Sequence, residues 1–160
     1  MQIRKALLTD QDAIWKISKE VIATGDTYTF SPDSTREELL SFWIGKDRHT
    51  YVAEENKEIM GICLIKANQP GLGAHVANAA YMVAEKAEGK GIGKALCHFS
   101  LEEAKRLGFL AMQFNMVIKS NERAVKLWQK LGFHIVGEIP EAFNHKQLGL
   151  TNAYVMYRKL

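Results

Sequence analysis

The chain has 160 residues and a mass of 18.0 kDa, a length that favours one domain (residues 1–160) with a full hydrophobic core. Hydrophobic residues make up 47% of the chain and charged residues 24%, a composition that excludes a disordered chain or a collagen-like repeat. Lys and Arg number 21 against 18 Asp and Glu, which leaves a formal net charge of +3. A nucleic-acid-binding protein usually concentrates more basic charge, so we expect no nucleic-acid partner.

The sequence also favours a cytoplasmic protein without a membrane segment. No apolar run approaches the roughly 18 residues of a membrane span, and Ala6, Leu7 and Leu8 are too few for a signal-peptide core. Cys63 and Cys97 are flanked by apolar residues, which predicts two buried, free thiols in a reducing compartment. The spacing of the histidines matches no metal site: His49, His75, His98, His134 and His145.

Strands and helices alternate along the chain. Strands are predicted at residues 3–7, 49–54, 58–67, 75–84, 110–117, 133–139 and 153–158. Helices are predicted from Thr9 to before Gly25, from Ser34 to near Gly45, from the glycine cluster at 89–93 to Gly108, and from Asn121 to Leu131.

Local signals refine these elements. The pairs Thr9 with Asp12 and Ser34 with Glu37 resemble capping boxes, and Glu102 is spaced to pair with Arg106. A long loop is expected between residues 139 and 153. Hairpins give antiparallel neighbours, whereas helical crossovers between strands give parallel ones. The sequence therefore predicts an α/β (α+β) fold in which helices cover a mixed sheet.

The run Glu88-Gly89-Lys90-Gly91-Ile92-Gly93-Lys94 lies between a predicted strand and a predicted helix. Alternating glycines allow a ligand to approach the backbone closely, and free N–H groups at a helix start attract anions such as phosphate. Lys90 and Lys94 add positive charge that Glu85 and Glu88 partly offset. Taken alone, the run is equally consistent with a glycine-rich turn.

Two common phosphate-binding loops do not match this run. A Walker loop requires Gly where the chain has Glu88 and Ser or Thr where it has Ala95. The dinucleotide fingerprint requires Gly where Lys94 or Leu96 stands.

The surrounding motifs resemble the GNAT superfamily of N-acetyltransferases. They are Val83, the run Gly89–Leu96, Asn121 with Ala124 and Leu127, and the sequence Leu131-Gly132-Phe133. The resemblance is strongest over residues 75–140 and extends to the order of elements along the whole chain. It implies a mostly antiparallel sheet of about seven strands with helices on both faces. It also implies acetyl-CoA as co-substrate, without a metal, between the splayed strands 75–84 and 110–117.

The resemblance further implies which residues contact acetyl-CoA. Backbone groups near Met82 and Val83 would hold the pantetheine arm, amides of the glycine run would hold the pyrophosphate, and Asn121 would contact the arm from the far side. An N–H near Val83 would stabilise the oxyanion. The expected cofactor-binding residues are Met82, Val83, Glu88, Gly89, Lys90, Gly91, Ile92, Gly93, Lys94 and Asn121.

Direct transfer requires a neutral amine, and an alkylammonium of pKa about 10.4 costs roughly 4–5 kcal/mol to deprotonate at pH 7. The sequence offers Glu85, His75 and His145 as general bases. Glu85 stands where the family often has Pro, and its alternative interpretation is a solvated loop charge.

Two other positions depart from the family pattern. Glu88 replaces the usual Gln or Arg, and Trp128 replaces the Tyr that protonates the leaving thiolate. An indole cannot donate that proton at neutral pH. Tyr81 and Tyr154 are either substitutes for this acid or packed strand residues.

Asn78 and Asn115 interrupt apolar strands, and a buried amide must find partners. Either each asparagine bonds neighbouring backbone where the strands separate, or both bind the acceptor amine or its carboxylate. Tyr28, with Phe30 and Phe143, either walls the acceptor site or packs as a lid. The expected catalytic residues are Asn78, Val83 and Glu85, and the expected substrate-binding residues are Tyr28, Asn78 and Asn115.

The expected activity is acetyl transfer to a small-molecule amine. Asn78-Ala79, Phe114-Asn115, Trp128 and Ile139-Pro140 resemble a GNAT branch that contains fungal azetidine-2-carboxylate and proline-analogue N-acetyltransferases, which implies an amino-acid-like acceptor. The alternatives are a non-catalytic acyl-CoA sensor, which the missing Tyr favours, and a protein N-acetyltransferase. Formation of a homodimer stays open.

Overall fold

The computed structural model describes residues 1–160 and contains a single seven-stranded sheet of order β1-β2-β3-β4-β5-β7-β6. The strands are β1 (Gln2–Lys5), β2 (His49–Glu55), β3 (Glu58–Ala67), β4 (Val76–Val83), β5 (Ala111–Ile118), β6 (His134–His145) and β7 (Gly149–Lys159). The helices are α1 (Gln11–Ala23), α2 (Arg36–Trp43), α3 (Ile92–Arg106) and α4 (Glu122–Lys130). All neighbouring strands are antiparallel except β4 and β5, which confirms the predicted mixed sheet.

The helices lie on opposite faces of this sheet. Alternate residues of β4 point to alternate faces. The hydroxyl of Tyr81 lies 2.6 Å from the Ser100 hydroxyl of α3, so the odd-numbered side chains of β4 face α3. Lys66 is paired with Asn78 across β3 and β4, and its Nζ lies 5.9 Å from the ring of Phe42 in α2. The even-numbered side chains therefore face α2.

One large core cluster is packed on both sides of the sheet, and its fully buried members include Ile14, Trp43, Ile62, Leu96, Met112 and Met156. Their burial supplies the main driving force for folding. Cys63 and Cys97 lie in the same cluster as free thiols, as the sequence predicts, and burial raises the pKa of both. No helix combines the length and the apolar character needed to cross a membrane.

Both expected capping boxes are displaced by one or more residues. Helix α2 is capped by Thr35, whose hydroxyl accepts a hydrogen bond from Glu38 N at 3.2 Å while Glu38 Oε2 accepts one from Thr35 N at 2.7 Å. At the first helix the acidic partner is Asp10 and not Asp12. Asp10 accepts a hydrogen bond from Leu7 N at 2.7 Å because Arg4 of β1, 2.7 Å away, holds the Asp10 carboxylate at this turn.

The expected long loop before the last strand is wrong. Strands β6 and β7 continue through it as one hairpin, with register pairs from His134 and Tyr157 to His145 and Gly149. The buried pair Phe143 and His145, two residues apart, supplies the period-two signal that identifies this strand.

The expected pair of Glu102 and Arg106 is also wrong, because Arg106 binds Glu103 instead at 2.6 Å. The hydroxyl of Tyr51 in β2 donates to Glu103 Oε1 at 2.5 Å and fixes that carboxylate against the sheet. The guanidinium of Arg106 lowers the pKa of Glu103 to about 2, and the Tyr51 hydrogen bond contributes to the lowering.

This lowered pKa predicts an acid-sensitive contribution to stability. The contribution is complete above the ordinary pKa of 4.5 and is lost as the pH falls toward about 2. Glu103→Gln should therefore melt below the wild type at pH 7, and the difference should shrink steadily between pH 4.5 and 2 in circular-dichroism melts. Glu102→Gln, which removes a neighbouring exposed carboxylate, controls for charge. A difference between wild type and Glu103→Gln that does not change with pH would contradict the assignment.

Candidate active site

The site is a gap between β4 and β5. These parallel strands pair only through Val76 with Ala111 and Ala77 with Met112, and then they diverge. A cavity of about 490 Å³ fills the gap, a size typical of sites for small molecules and cofactors. Its lining includes Tyr28, Phe30, Asn78, Tyr81, Met82, Val83, Glu88, Asn115, Asn121 and Trp128.

Asn78 lies at the apex of the gap. Its Nδ2 donates to the backbone oxygen of Gln113 in β5 at 2.9 Å, directly beyond the last paired residues of the two strands. The Asn78 side chain therefore bonds to a backbone oxygen of β5 that a backbone N–H of β4 would bond to if the two strands stayed paired. This contact supports the structural alternative for Asn78, and it leaves Oδ1 of the amide free at the cavity wall.

Asn115 has a different environment, because it is exposed and the expectation of a buried amide is wrong for it. Its Nδ2 donates to Oδ1 of Asn68 at 2.7 Å, and its Oδ1 accepts from Gln113 Nε2 at 2.9 Å. A bulge in β5 between Phe114 and Val117 turns this part of the strand outward. Asn115 therefore lies in the cavity wall as part of a surface amide network.

The backbone of Tyr81 faces the gap. At the two ends of β4, Val76 O accepts a hydrogen bond from Asn68 N and Ala84 N donates one to Met60 O, both on the β3 side. The odd-numbered positions between them therefore present their N–H and C=O groups to the other edge. Because β5 has diverged there, no strand pairs with them. The Tyr28 hydroxyl instead accepts a hydrogen bond from Tyr81 N at 3.0 Å and donates one to Tyr81 O. Burial raises the pKa of Tyr28 well above its ordinary value, so this hydroxyl stays neutral.

Aromatic packing holds Tyr28 in place. Its ring is stacked with Phe30 at 6.3 Å between centroids, Phe30 contacts Phe42 edge-on at 4.9 Å, and Phe42 contacts the buried Trp43 at 5.1 Å. The segment between α1 and α2 is thereby fixed against the core. Sequence reasoning placed Tyr28 beside the acceptor but missed its contact with Tyr81, since the two residues are 53 positions apart.

The segment is also tied to the β6–β7 hairpin. The backbone oxygen of Gly25 accepts a hydrogen bond from Lys146 N at 3.0 Å. Gly25 has φ +64°, and a Cβ at this position would lie 2.9 Å from the Cβ of Lys146. Only glycine satisfies both requirements without displacing the hairpin. The segment around Tyr28 and the turn of the β6–β7 hairpin therefore depend on each other.

The glycine run forms the opposite side of the gap. Gly91, with φ +79°, is the N-terminal cap of α3, and Gly89 has φ +76°; no atom lies within 4 Å of a Cβ built at either. The amides of residues 91–94 have no hydrogen-bond partner in the protein, since the first helical bond runs from Ala95 N to Gly91 O. Lys90 and Lys94 are exposed and form no ion pair. Unpaired amides, helix dipole and open space together suit an anion.

The groups near α4 complete the site. Asn121 caps α4 by accepting a hydrogen bond from Ala124 N at 3.2 Å through Oδ1, which leaves Nδ2 free at the cavity. Trp128 lies against the rings of Tyr81 and Phe114, with centroids 5.2 and 4.7 Å away. The Tyr81 hydroxyl points to Ser100 and away from the gap, and burial raises its pKa well above the ordinary value. Its side chain is therefore a packed strand residue, as one alternative predicted.

The proposed bases do not converge on the gap. Glu85 lies exposed in a short 3-10 turn outside the cavity lining, and His75 is exposed before β4. His145 caps the hairpin turn, where its Nδ1 accepts hydrogen bonds from Gln147 N and Leu148 N at 3.1 and 3.2 Å. Tyr154 is also outside the lining and packs under Lys119. Phe143 is also outside the lining and belongs to a separate small cluster with Ile118 and Ala153.

Comparison with known proteins identifies the family. Residues 15–133 match the model of the acetyltransferase (GNAT) family, which covers most of the chain. A GCN5-related N-acetyltransferase from Kribbella flavida is 42% identical and superimposes with a TM-score of 0.94 over 99% of this chain and 97% of that one. The chain therefore belongs to the GNAT acetyltransferase family, whose acetyl donor is acetyl-CoA, and the predicted fold is confirmed.

More distant relatives agree with this assignment. N-acetyltransferase aca1 of Schizosaccharomyces pombe is 29% identical over 151 residues, which are 84% of this chain and 72% of that protein. Protein SPT10 of Saccharomyces cerevisiae is 35% identical over 103 residues, 64% of this chain but only 16% of that protein. The yncA structure from Salmonella typhimurium, a putative acetyltransferase solved with acetyl-CoA, shares the fold at a TM-score of 0.85 and 22% identity over 100% of this chain and 94% of that one. No cluster of three or more metal-ligating side chains exists in the chain.

The Gly25 contact generates a stability prediction. Gly25→Ala should destabilise the protein by about 2–3 kcal/mol, because a positive φ costs an L-residue about 1–2 kcal/mol and the Lys146 contact adds to it. Gly71→Ala is the matched control, with φ +60° and no atom within 4 Å, and it should lose only about 1 kcal/mol. Urea unfolding measures both variants. Equal losses would show that the Lys146 contact contributes nothing.

Proposed function

We propose that this protein is an acetyl-CoA-dependent N-acetyltransferase that transfers an acetyl group directly to the amine of a small molecule, with residues 1–160 as one catalytic domain. The observation that carries the proposal is the gap between β4 and β5, which exposes the free edge of β4 and reaches Glu88, close to the unpaired amides at the start of α3. Membership of the GNAT family and this geometry support the same chemistry.

The residues present suit acetyl-CoA. The amides of residues 91–94 would hold the pyrophosphate, with Glu88, Gly89 and Lys90 forming the adjacent loop. The backbones of Met82 and Val83 would hold the pantetheine arm, and the free Nδ2 of Asn121 would donate to it from the other wall. When bound, acetyl-CoA supplies an activated thioester. A backbone N–H near Val83, at the free edge of β4, would donate to its carbonyl oxygen.

In the proposed reaction no histidine or other basic side chain in the cavity takes the proton from the acceptor amine. The cavity lining contains no His, Lys or Asp, and its one carboxylate, Glu88, lies on the side of the glycine run. We therefore propose that water in the open gap takes the proton, and that Glu85, if it contributes, does so through such water. The neutral fraction of the amine then limits the rate, and the CoA sulfur leaves as a thiolate because its pKa is near 8.5.

The acceptor site favours an amine that also carries a carboxylate. The free Oδ1 of Asn78 can accept a hydrogen bond from the amine, and Lys66 lies directly opposite Asn78 on the same face, with Cβ atoms about 5 Å apart in such pairs. Lys66 forms no ion pair and lines a second cavity of about 520 Å³ with Lys46 and Arg48, where Asp47 is the only acid. An amino acid or its analogue fits this arrangement.

Tyr28 and Asn115 complete the proposed acceptor wall, and the likeness to the azetidine-2-carboxylate branch supports the same substrate class. A non-catalytic acyl-CoA sensor would bind acetyl-CoA but release no CoA with any amine. A protein N-acetyltransferase would acetylate peptides in preference to free amino acids. The cytoplasmic location remains a prediction that the two free thiols support.

Binding of acetyl-CoA to the glycine run is tested by ligand-dependent melting. Acetyl-CoA at about 100 times its Kd should add roughly 2.7 kcal/mol to the wild type. Gly91→Glu should abolish this gain because a carboxylate would face the pyrophosphate. Gly108→Glu is the control, since it places the same residue at a positive φ of 90° at the other end of α3, and it should retain the gain. A full gain in Gly91→Glu would refute the binding site.

The acceptor class is tested by measuring CoA release with a panel of amines. The panel consists of pairs, in which each amino acid is compared with the amine that remains after its decarboxylation. Amino acids, including cyclic imino acids, should be the better substrates. Lys66→Met should raise KM for the amino acid about fivefold, the effect of one exposed ion pair, and leave its decarboxylated partner unchanged. Lys57→Met, at the exposed β2–β3 turn, is the control. Equal KM changes for both members of a pair would contradict the role of Lys66.

A further inference from the structure

The contact between Tyr28 and the free edge of β4 has no role in the function proposed so far. Of all side chains, the Tyr28 hydroxyl is the one that hydrogen-bonds to the gap-facing backbone of β4, where it contacts both the N–H and the C=O of Tyr81. We propose that Tyr28 is a catalytic residue whose hydroxyl, with the Tyr81 N–H, donates a hydrogen bond to the acyl oxygen of the bound thioester. This inference rests on the acetyl-CoA-dependent function proposed above.

The path along β4 brings the reacting carbonyl to this hydroxyl. At one end, the glycine run packs on β4, since a Cβ at Gly93 would lie 3.6 Å from Val83 Cγ2. At the other end, the gap closes at Asn78, whose side chain bonds to β5. A ligand arm that starts at α3 and follows the free edge of β4 meets Val83 first and Tyr81 about 7 Å further on. The reactive end therefore lies beside Tyr81.

The hydroxyl is suited to donate a hydrogen bond and not to give up its proton. Burial keeps it neutral, since the pKa of Tyr28 lies well above the ordinary value, and the stacked Phe30 ring fixes its direction. The other aromatic groups of the gap do not compete for this role. The Tyr81 hydroxyl is bonded to Ser100 on the α3 face, and Trp128 packs against the Tyr81 ring.

During transfer, rotation about the Cζ–O bond of Tyr28 redirects the hydroxyl hydrogen from the Tyr81 carbonyl to the acyl oxygen. The Tyr81 N–H, whose direction is fixed by the strand, shares its hydrogen bond between the Tyr28 oxygen and the acyl oxygen. The freed Tyr81 carbonyl can then accept a hydrogen bond from the attacking amine. As the nitrogen–carbon bond forms, charge grows on the acyl oxygen; as the carbon–sulfur bond breaks, the sulfur takes the electron pair and the amine proton passes to water. Tyr28 keeps its proton throughout.

The test compares Tyr28→Phe with Tyr51→Phe by infrared difference spectroscopy of bound acetyl-CoA labelled with ¹³C at the acetyl carbonyl. Tyr51→Phe is the matched control because it also removes one hydrogen-bonded tyrosine hydroxyl, the partner of Glu103, far from the gap. In wild type and Tyr51→Phe the carbonyl band should lie at lower frequency than in solution. In Tyr28→Phe it should shift back toward the solution value.

Kinetics give the second readout. With the best acceptor from the panel, Tyr28→Phe should lower kcat about 100-fold, as the loss of an oxyanion donor does, with little change in KM for acetyl-CoA. A carbonyl band in Tyr28→Phe that is unchanged from the wild type overturns the proposal. Tighter acetyl-CoA binding by Tyr28→Phe at unchanged kcat also overturns it, because the hydroxyl would then only compete with the ligand for the edge of β4. If the wild type itself shows no carbonyl band from bound acetyl-CoA, the acetyl-CoA site of the proposed function is refuted, and the role of Tyr28 with it. A bound but unshifted band in wild type refutes the donor role alone.

Discussion

The separation of β4 from β5 is the structural constraint on which the site depends. Two parallel strands that pair at only two positions leave an edge of unsatisfied N–H and C=O groups inside the protein, which is costly unless other groups bond to them. Asn78 satisfies a carbonyl of β5 at the apex, and Tyr28 satisfies the Tyr81 peptide on β4. The gap is thus held open by hydrogen bonds, and the groups that hold it open are those a substrate would meet.

The two walls of the gap have complementary chemistry. On one side, α3 begins with unpaired amides and positive φ glycines, which suit a charged phosphate group. On the other side, the segment around Tyr28 carries aromatic rings and is anchored both to Trp43, through ring contacts of Phe30 and Phe42, and to the β6–β7 hairpin, through Gly25 and Lys146. In the proposed function this division would separate cofactor binding from acceptor binding, so that both reactants would approach the edge of β4 from opposite directions.

The fold could be predicted from sequence, as could the open glycine run that we propose binds acetyl-CoA, because their signals are local. Gly89, Gly91 and Gly93 are closely spaced at a helix start, and apolar periodicity identifies each helix and most strands. The errors are likewise physical: Arg4 of β1 holds Asp10 at the first helix, Thr35 forms the capping box with Glu38 in place of Ser34 with Glu37, and residues 140–152 pair as a hairpin despite their polarity. The acceptor side could be predicted only as a set of candidates. The contact of Tyr28 with Tyr81 and the exposure of Asn115 arise from distant chain segments, which no local pattern encodes.

The most direct test of the account follows the glycine amides during titration with acetyl-CoA. The chain contains 12 glycines, and selective ¹⁵N-glycine labelling resolves their amides by NMR without requiring an acceptor. The account predicts large shifts for Gly89, Gly91 and Gly93, a saturating titration, and unchanged resonances for the remote Gly108 and Gly149. No shift at residues 89–93, or saturable shifts confined to other glycines, would contradict the claim that the gap between β4 and β5 is an acetyl-CoA site.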